Sequence, residues 1–168
     1  MKSLHHASVV GFKRIYENER FMMIEMEYVV GGQLKRLYKQ TTKPTDEHVA
    51  LVMKSILEGV AYIHDLSIIH RDLKPENILL ATTDPKCSDV KIVDFGLSAV
   101  FYLDRSKNDN LKAGTLAYMA PEQAIKQTYS KKVDLWACGI VMYQLLCDGN
   151  HPWYIKGQKN PESTLKKL

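Results

Sequence analysis

The sequence predicts an α+β chain dominated by helices, on three observations. Two apolar, β-branched or aromatic runs, 9–16 and 21–29, flank the polar turn Glu17-Asn18-Glu19-Arg20. A long run with helical spacing begins after Pro44. Beyond it, short apolar strands alternate with polar loops until a second apolar helical run at 133–147. A hairpin, a helix, small strands and a further helix, in that order, make an α+β arrangement.

The first two runs read as an antiparallel hairpin. Val30-Gly31-Gly32 breaks its second strand, and Gln33 to Tyr38 suits a short helix. Pro44-Thr45-Asp46-Glu47 is a helix start, with a Thr cap and acids in the first turn, where the helix dipole favours negative charge. Val49, Val52, Met53, Ile56, Val60 and Ile63 then share one helical face, to about His64. Ile68-Ile69, Ile78-Leu79-Leu80 and Val90–Val93 are short strands, the last two joined by a polar turn over 81–89. The stretch 102–112 is too polar to bury and is expected as a mobile surface loop. The run 133–147 is expected as a buried core helix, and a further helix is expected to start near Glu162. No repeat or linker divides the chain.

With 168 residues, 45% of them hydrophobic and 25% charged, the chain can bury one sizeable core. A net charge of +4, spread rather than clustered, argues against nucleic acid as a partner. The segment 133–147 carries Asp134 and is shorter than a membrane span needs, so no span is expected. The N-terminus lacks the apolar core of a secretory signal. Cys87, Cys138 and Cys147 show no paired spacing, which suits free thiols in a reducing compartment: the cytoplasm, with the nucleus also open. His5-His6 has no third ligand nearby and reads as a surface turn rather than a zinc site.

The densest chemistry is His70-Arg71-Asp72-Leu73-Lys74-Pro75-Glu76-Asn77. Asp72 can orient an acceptor hydroxyl and take its proton. Lys74 can neutralise charge on a transferring phosphate. Asn77 offers a hard carbonyl oxygen suited to Mg²⁺, and Asp94 of Asp94-Phe95-Gly96 adds an anionic ligand. The hairpin between them would bring both ligands to one metal cluster. A lone Asp in such a chain is more often a turn or helix cap, and it is the full string that outweighs that reading.

With Ala120-Pro121-Glu122 and Asp134-x-Trp136-x-x-Gly139, these motifs make the chain resemble the eukaryotic protein kinases over nearly its whole length. The resemblance implies a protein-kinase-like fold, mostly the helical C-lobe with the hinge and a remnant hairpin of the N-lobe. Residues 1–29 would be N-lobe remnant and hinge, and 30–168 an incomplete C-lobe. It implies ATP and Mg²⁺ as cofactors and a protein with an acceptor Ser or Thr as partner. Asp72, Lys74 and Thr115 would be catalytic, with Thr115 bridging the other two, and Asn77 and Asp94 would hold metal. Met26 would be the gatekeeper of a hinge Met26-Glu27-Tyr28-Val29, in which the backbones of Glu27 and Val29 read the adenine edge. Gln33, Glu76 and Leu79 complete the nucleotide-side contacts. Asp134 would bond the catalytic-loop backbone, and His70 would pack against Phe95 rather than act as a base. Lys74 with Gly114-Thr115 points to the serine/threonine class. The phrasing of 90–98 and 129–153 is closest to the calcium/calmodulin-dependent group, although no residue here specifies calmodulin.

The departures are equally specific. Arg71 would pair with an activation-loop phosphate in the family, yet Leu111 stands where the phosphorylated Thr usually falls, so activation without phosphate there is expected. Gln33 stands where many basic-directed kinases carry Glu. The residues 1–168 contain no glycine-rich phosphate loop and no strand with the nucleotide lysine. The Arg that pairs with the Glu of Ala-Pro-Glu is also missing, so Glu122 is expected to suffer if buried unpaired. The expectation is a Ser/Thr kinase fragment with little activity and weak ATP affinity on its own. The alternative is a non-catalytic kinase-like scaffold, and a small-molecule phosphotransferase is a distant third.

Overall fold

The computed structural model describes residues 4–39, 43–100, 115–124 and 129–153. Strands β1 (Phe12–Glu17) and β2 (Met22–Met26) form an antiparallel ribbon. Helix α1 (Asp46–Asp65) follows, then β3 (Ile68–Ile69), β4 (Ile78–Leu80), β5 (Val90–Ile92) and β6 (Ala99–Val100). Helices α2 (Pro121–Ala124) and α3 (Lys132–Leu146) complete the order. Turns of 3₁₀ helix occupy Leu34–Lys39, Phe95–Leu97 and Leu116–Tyr118. The fold is α+β, as expected.

Helix α1 starts where the sequence placed it. The Thr45 hydroxyl accepts the His48 amide at 3.2 Å, and Asp46 and Glu47 face the positive end of the dipole. Its buried stripe is Val49, Val52, Met53, Ile56, Val60 and Ile63. Helix α1 packs on α3 and β5; Val49 to Val60 of the stripe close a core with Leu34, Leu73, Ile78, Leu80, Ile92, Val141 and Leu145, while Ile63 packs with Leu4 and Val9. Strands β4 and β5 pair as a short antiparallel hairpin, Ile78 opposite Ile92 and Leu80 opposite Val90. Ile78 and Leu80 face the core, so period-two alternation leaves Leu79 on the opposite face. No described helix is long and apolar enough to cross a membrane, and the three cysteines are free.

Several boundaries move. The first strand is shorter than the run 9–16, because Val10 donates to the Ile92 carbonyl at 3.0 Å and Ile92 donates to Ser8 at 2.9 Å. Residues 8–10 therefore lie beside β5, and the ribbon begins after Gly11. The second strand stops at Met26, and the Glu27 amide adds one further rung to the Gly11 carbonyl at 2.8 Å. The short helix expected at Gln33 to Tyr38 is a 3₁₀ turn over Leu34–Lys39. Strand β3 pairs with β6, a partner the sequence did not suggest. Among the described residues the ribbon pairs only with itself. The expected loop at 102–112 and the helix near Glu162 lie outside the described residues.

The link from ribbon to core is tight. A Cβ on Gly31 would overlap the Leu80 and Thr82 carbonyl oxygens, so only glycine permits that approach. Leu80 donates to the Gly32 carbonyl at 2.8 Å, and Gln33 bridges to Leu79.

Candidate active site

The loop 70–77 hangs between β3 and β4 and is held from below by Asp134, in the first turn of α3. The Asp134 carboxylate is 1% exposed and accepts the His70 and Arg71 amides, each at 2.9 Å. The His64 ring lies 2.8 Å from the same carboxylate. These bonds fix a strained turn, for Arg71 has φ of 70°, a region costly to any side-chain-bearing residue. His70 is fully buried, with its Nε2 donating to the Val93 carbonyl at 3.0 Å and its ring 5.0 Å from that of Phe95. Burial pushes its pKa down, outweighing the Val93 carbonyl and nearby carboxylates. A neutral packing histidine results, as expected.

Asp72 is the hub. One carboxylate oxygen accepts the Thr115 amide at 2.7 Å and the Thr115 hydroxyl at 2.8 Å. The other accepts Lys74 Nζ at 2.7 Å and Asn77 Nδ2 at 3.0 Å. Lys74 also donates to the Thr115 hydroxyl at 2.7 Å, so Thr115 does bridge the pair. Burial alone would raise the Asp72 pKa, but the bonds from Lys74 and Thr115 prevail and hold it below the usual carboxylate range.

Asn77 spends its amide nitrogen on Asp72, bonding both the backbone oxygen at 2.9 Å and the side chain. Its Oδ1 is therefore the atom left to meet a cation. Val93 donates to the Asn77 carbonyl at 3.0 Å, which sets Asp94 one residue beyond this cross-strand pair. Asp94 is exposed, adopts a left-handed backbone (φ 64°) and caps Gly96 at 3.3 Å. Two hard oxygen donors at the end of one hairpin fit Mg²⁺, which keeps several waters and shares its other positions with phosphate. Among the described residues no group of three or more His, Cys, Asp or Glu could hold a metal, so a closed site of the zinc type is not formed there.

The hinge candidates lie at the ribbon's base. Met26 is 39% exposed. The Glu27 amide is taken by Gly11, so any nucleobase contact from that residue falls to its carbonyl. Its side chain accepts Lys91 Nζ at 2.8 Å and the Gly11 amide at 2.9 Å. Among the described residues, Val29 makes no backbone hydrogen bond. Leu79 and Gln33 lie side by side through their bridge. Glu76 pairs with Lys35 at 3.8 Å.

Three supporting residues escaped the sequence reading. His64 closes α1 onto Asp134, and its signal was a histidine at the end of an apolar stripe. Gln123 is 2% exposed and donates to the Arg71 carbonyl at 3.3 Å. His151 donates to the Ala117 carbonyl at 2.8 Å. The concern over Glu122 is corrected: it is half-buried, because α2 turns Gln123 inward instead. Leu111 lies outside the described residues.

Fold and loop together define the class: a protein kinase domain. The sequence profile of the protein kinase domain matches residues 1–168, and the chain belongs to that family. It is 39% identical over 155 residues to a probable myosin light chain kinase of Dictyostelium discoideum, covering 92% of this chain and 31% of that protein. It is 35% identical over 146 residues to calcium-dependent protein kinase 4 of Plasmodium falciparum (isolate 3D7), covering 87% of this chain and 27% of that protein. The chain thus spans about a third or less of the length of these relatives.

Proposed function

We propose that these residues form the acceptor side of a serine/threonine protein kinase, transferring the γ-phosphate of ATP to a protein hydroxyl. The observation that carries the reading is the three-way contact of Asp72, Lys74 and Thr115. The names of the relatives, a probable myosin light chain kinase and a calcium-dependent protein kinase, support phosphorylation of protein. Three free cysteines favour a reducing compartment, so we place the protein in the cytoplasm, with the nucleus open to the same chemistry.

Asp72 orients the acceptor hydroxyl. Each of its oxygens already accepts two hydrogen bonds, so an incoming hydroxyl displaces a donor from one lone pair. A carboxylate held below its usual pKa is a weak base. That suits a loose transition state, in which the acceptor need not be deprotonated early. Lys74 lies beside the acceptor and balances charge on the moving phosphoryl group. Mg²⁺, when bound, would neutralise charge on the β- and γ-phosphates, and Asn77 Oδ1 with Asp94 would hold it. The hinge 26–29 and Leu79 would take the adenine.

Residues 1–168 assayed alone should turn over slowly, since the ribbon is exposed and these residues supply no glycine-rich loop or paired lysine over the nucleotide. The test is ATP-dependent phosphorylation of Ser, Thr and Tyr peptides by the full gene product. Transfer to Ser or Thr that stops in Asp72→Asn supports the reading. ATP binding with no transfer to any peptide would instead favour the scaffold alternative.

A further inference from the structure

We propose that His151 is a positioning residue for the acceptor substrate, clamping the turn Leu116–Tyr118 beside Asp72. What docks on that turn rests on the kinase reading above. The clamp itself rests on geometry alone.

The turn leaves Thr115, whose amide and hydroxyl both contact Asp72. On the kinase reading, an acceptor reaching Asp72 passes along 115–118. The turn closes on itself through the Tyr118 amide and the Thr115 carbonyl at 2.9 Å. Among the described residues, the turn is tied from outside by Gln144 and His151. The Tyr118 hydroxyl donates to Gln144 Oε1 on α3 at 3.0 Å. The second tie is His151, whose Nε2 lies 2.8 Å from the Ala117 carbonyl. A carbonyl only accepts, so Nε2 carries the proton. The other ring nitrogen then accepts the Trp153 amide at 3.4 Å. The bond from Trp153 needs the neutral ring, and burial lowers the His151 pKa in keeping with that, against the Ala117 carbonyl.

The ring is also braced by aromatic edges, the quadrupole-favoured geometry. It meets Tyr118 at 5.8 Å and 81°, and Trp153 at 5.2 Å and 83°. Trp153 in turn leans on Trp136 of α3 at 5.3 Å. A stack running Trp136, Trp153, His151, Tyr118 thus carries the rigidity of the buried helix out to the turn. His151 is half-buried and stands outside the apolar core, so its removal should loosen the turn without opening that core.

The experiment compares His151→Ala and His151→Gln in the full gene product. Glutamine keeps a donor for the Ala117 carbonyl. The alanine variant should raise the KM for a Ser/Thr peptide about tenfold, the worth of one hydrogen bond. Its ATP KM and kcat should stay within about twofold, as expected when only uniform acceptor binding is lost. The glutamine variant should recover most of the peptide KM. An unchanged peptide KM in the alanine variant, equal loss in both variants, or a fall in kcat with no KM change overturns the proposal. Amide NMR signals of residues 115–118 supply a readout independent of catalysis. They should shift in the alanine variant and return towards wild type with glutamine, and their failure to move overturns the clamp. A wild-type protein that phosphorylates no peptide overturns the substrate assignment, while the amide signals still decide the clamp.

Discussion

The loop 70–77 and the ribbon β1–β2 are opposite solutions to the same problem of placing a polar backbone. In the loop, Asp72 is 6% exposed and Asp134 1% exposed, and every carboxylate oxygen of the pair has donors. In the ribbon, Phe21 is 66% exposed, Met22 63% and Met23 58%, and the outer edges of both strands are unpaired among the described residues. An isolated two-stranded ribbon is marginal in water. The contrast teaches where preorganisation resides: the groups proposed for the acceptor side are locked by the core, while those proposed for the nucleotide side hang from a thin stalk.

Attacking the locked half should cost most. Asp72→Asn keeps the shape but loses the charge that orients and accepts the proton, and should cut kcat by about 10³-fold in a radiolabelled phosphate-transfer assay. Asp134→Ala strands two buried amides and the His64 ring, and should destabilise by about 3–5 kcal/mol, read from urea midpoints. Gly31→Ala drives a methyl against two carbonyl oxygens and should cost about 1–3 kcal/mol by the same measurement. Acid should weaken the loop in a defined window. The folded pKa of His70 lies below its unfolded value, so the native state holds fewer protons there. Stability is then lost as pH falls from about 6.5 towards the folded pKa. A flat urea midpoint between about pH 7.5 and 5.5 would show that His70 is protonated without penalty. Met23→Thr in the ribbon should change stability by less than about 0.5 kcal/mol. Hydrogen exchange sharpens the same contrast: ribbon amides should exchange far faster than those of α1 and α3.

Elements with a period were legible. The stripe from Val49 to Ile63 and the cap at Thr45 announced α1, because helical spacing and capping are local properties. Strand β3 has two residues and no period, so its pairing with Ala99–Val100 could be found only in space. Val9 and Val10 looked like hairpin because they are β-branched. They leave it because their partner is Ile92, far along the chain. The site divides in the same way. Asp72, Lys74, Asn77 and Asp94 sit in short strings whose chemistry reads directly. Thr115 on Asp72 came from resemblance alone, and His64 on Asp134 crosses 70 residues, so a histidine closing an apolar stripe does not by itself name its partner. Gln123 and His151 act on backbone carbonyls, which no side-chain pattern marks.

The pinning of Gly31 against Leu80 and Thr82 makes the stalk a lever. A rotation of the ribbon relative to the core would pivot at residues 27–30, next to the groups proposed to read the adenine. Five strand residues reach roughly 17 Å, so a rotation of about 10° there sweeps the far turn by about 3 Å. A ligand wedged at the hinge therefore acts on the short arm, where small displacements govern large ones. A ligand at the ribbon tip acts on the long arm and needs correspondingly little force.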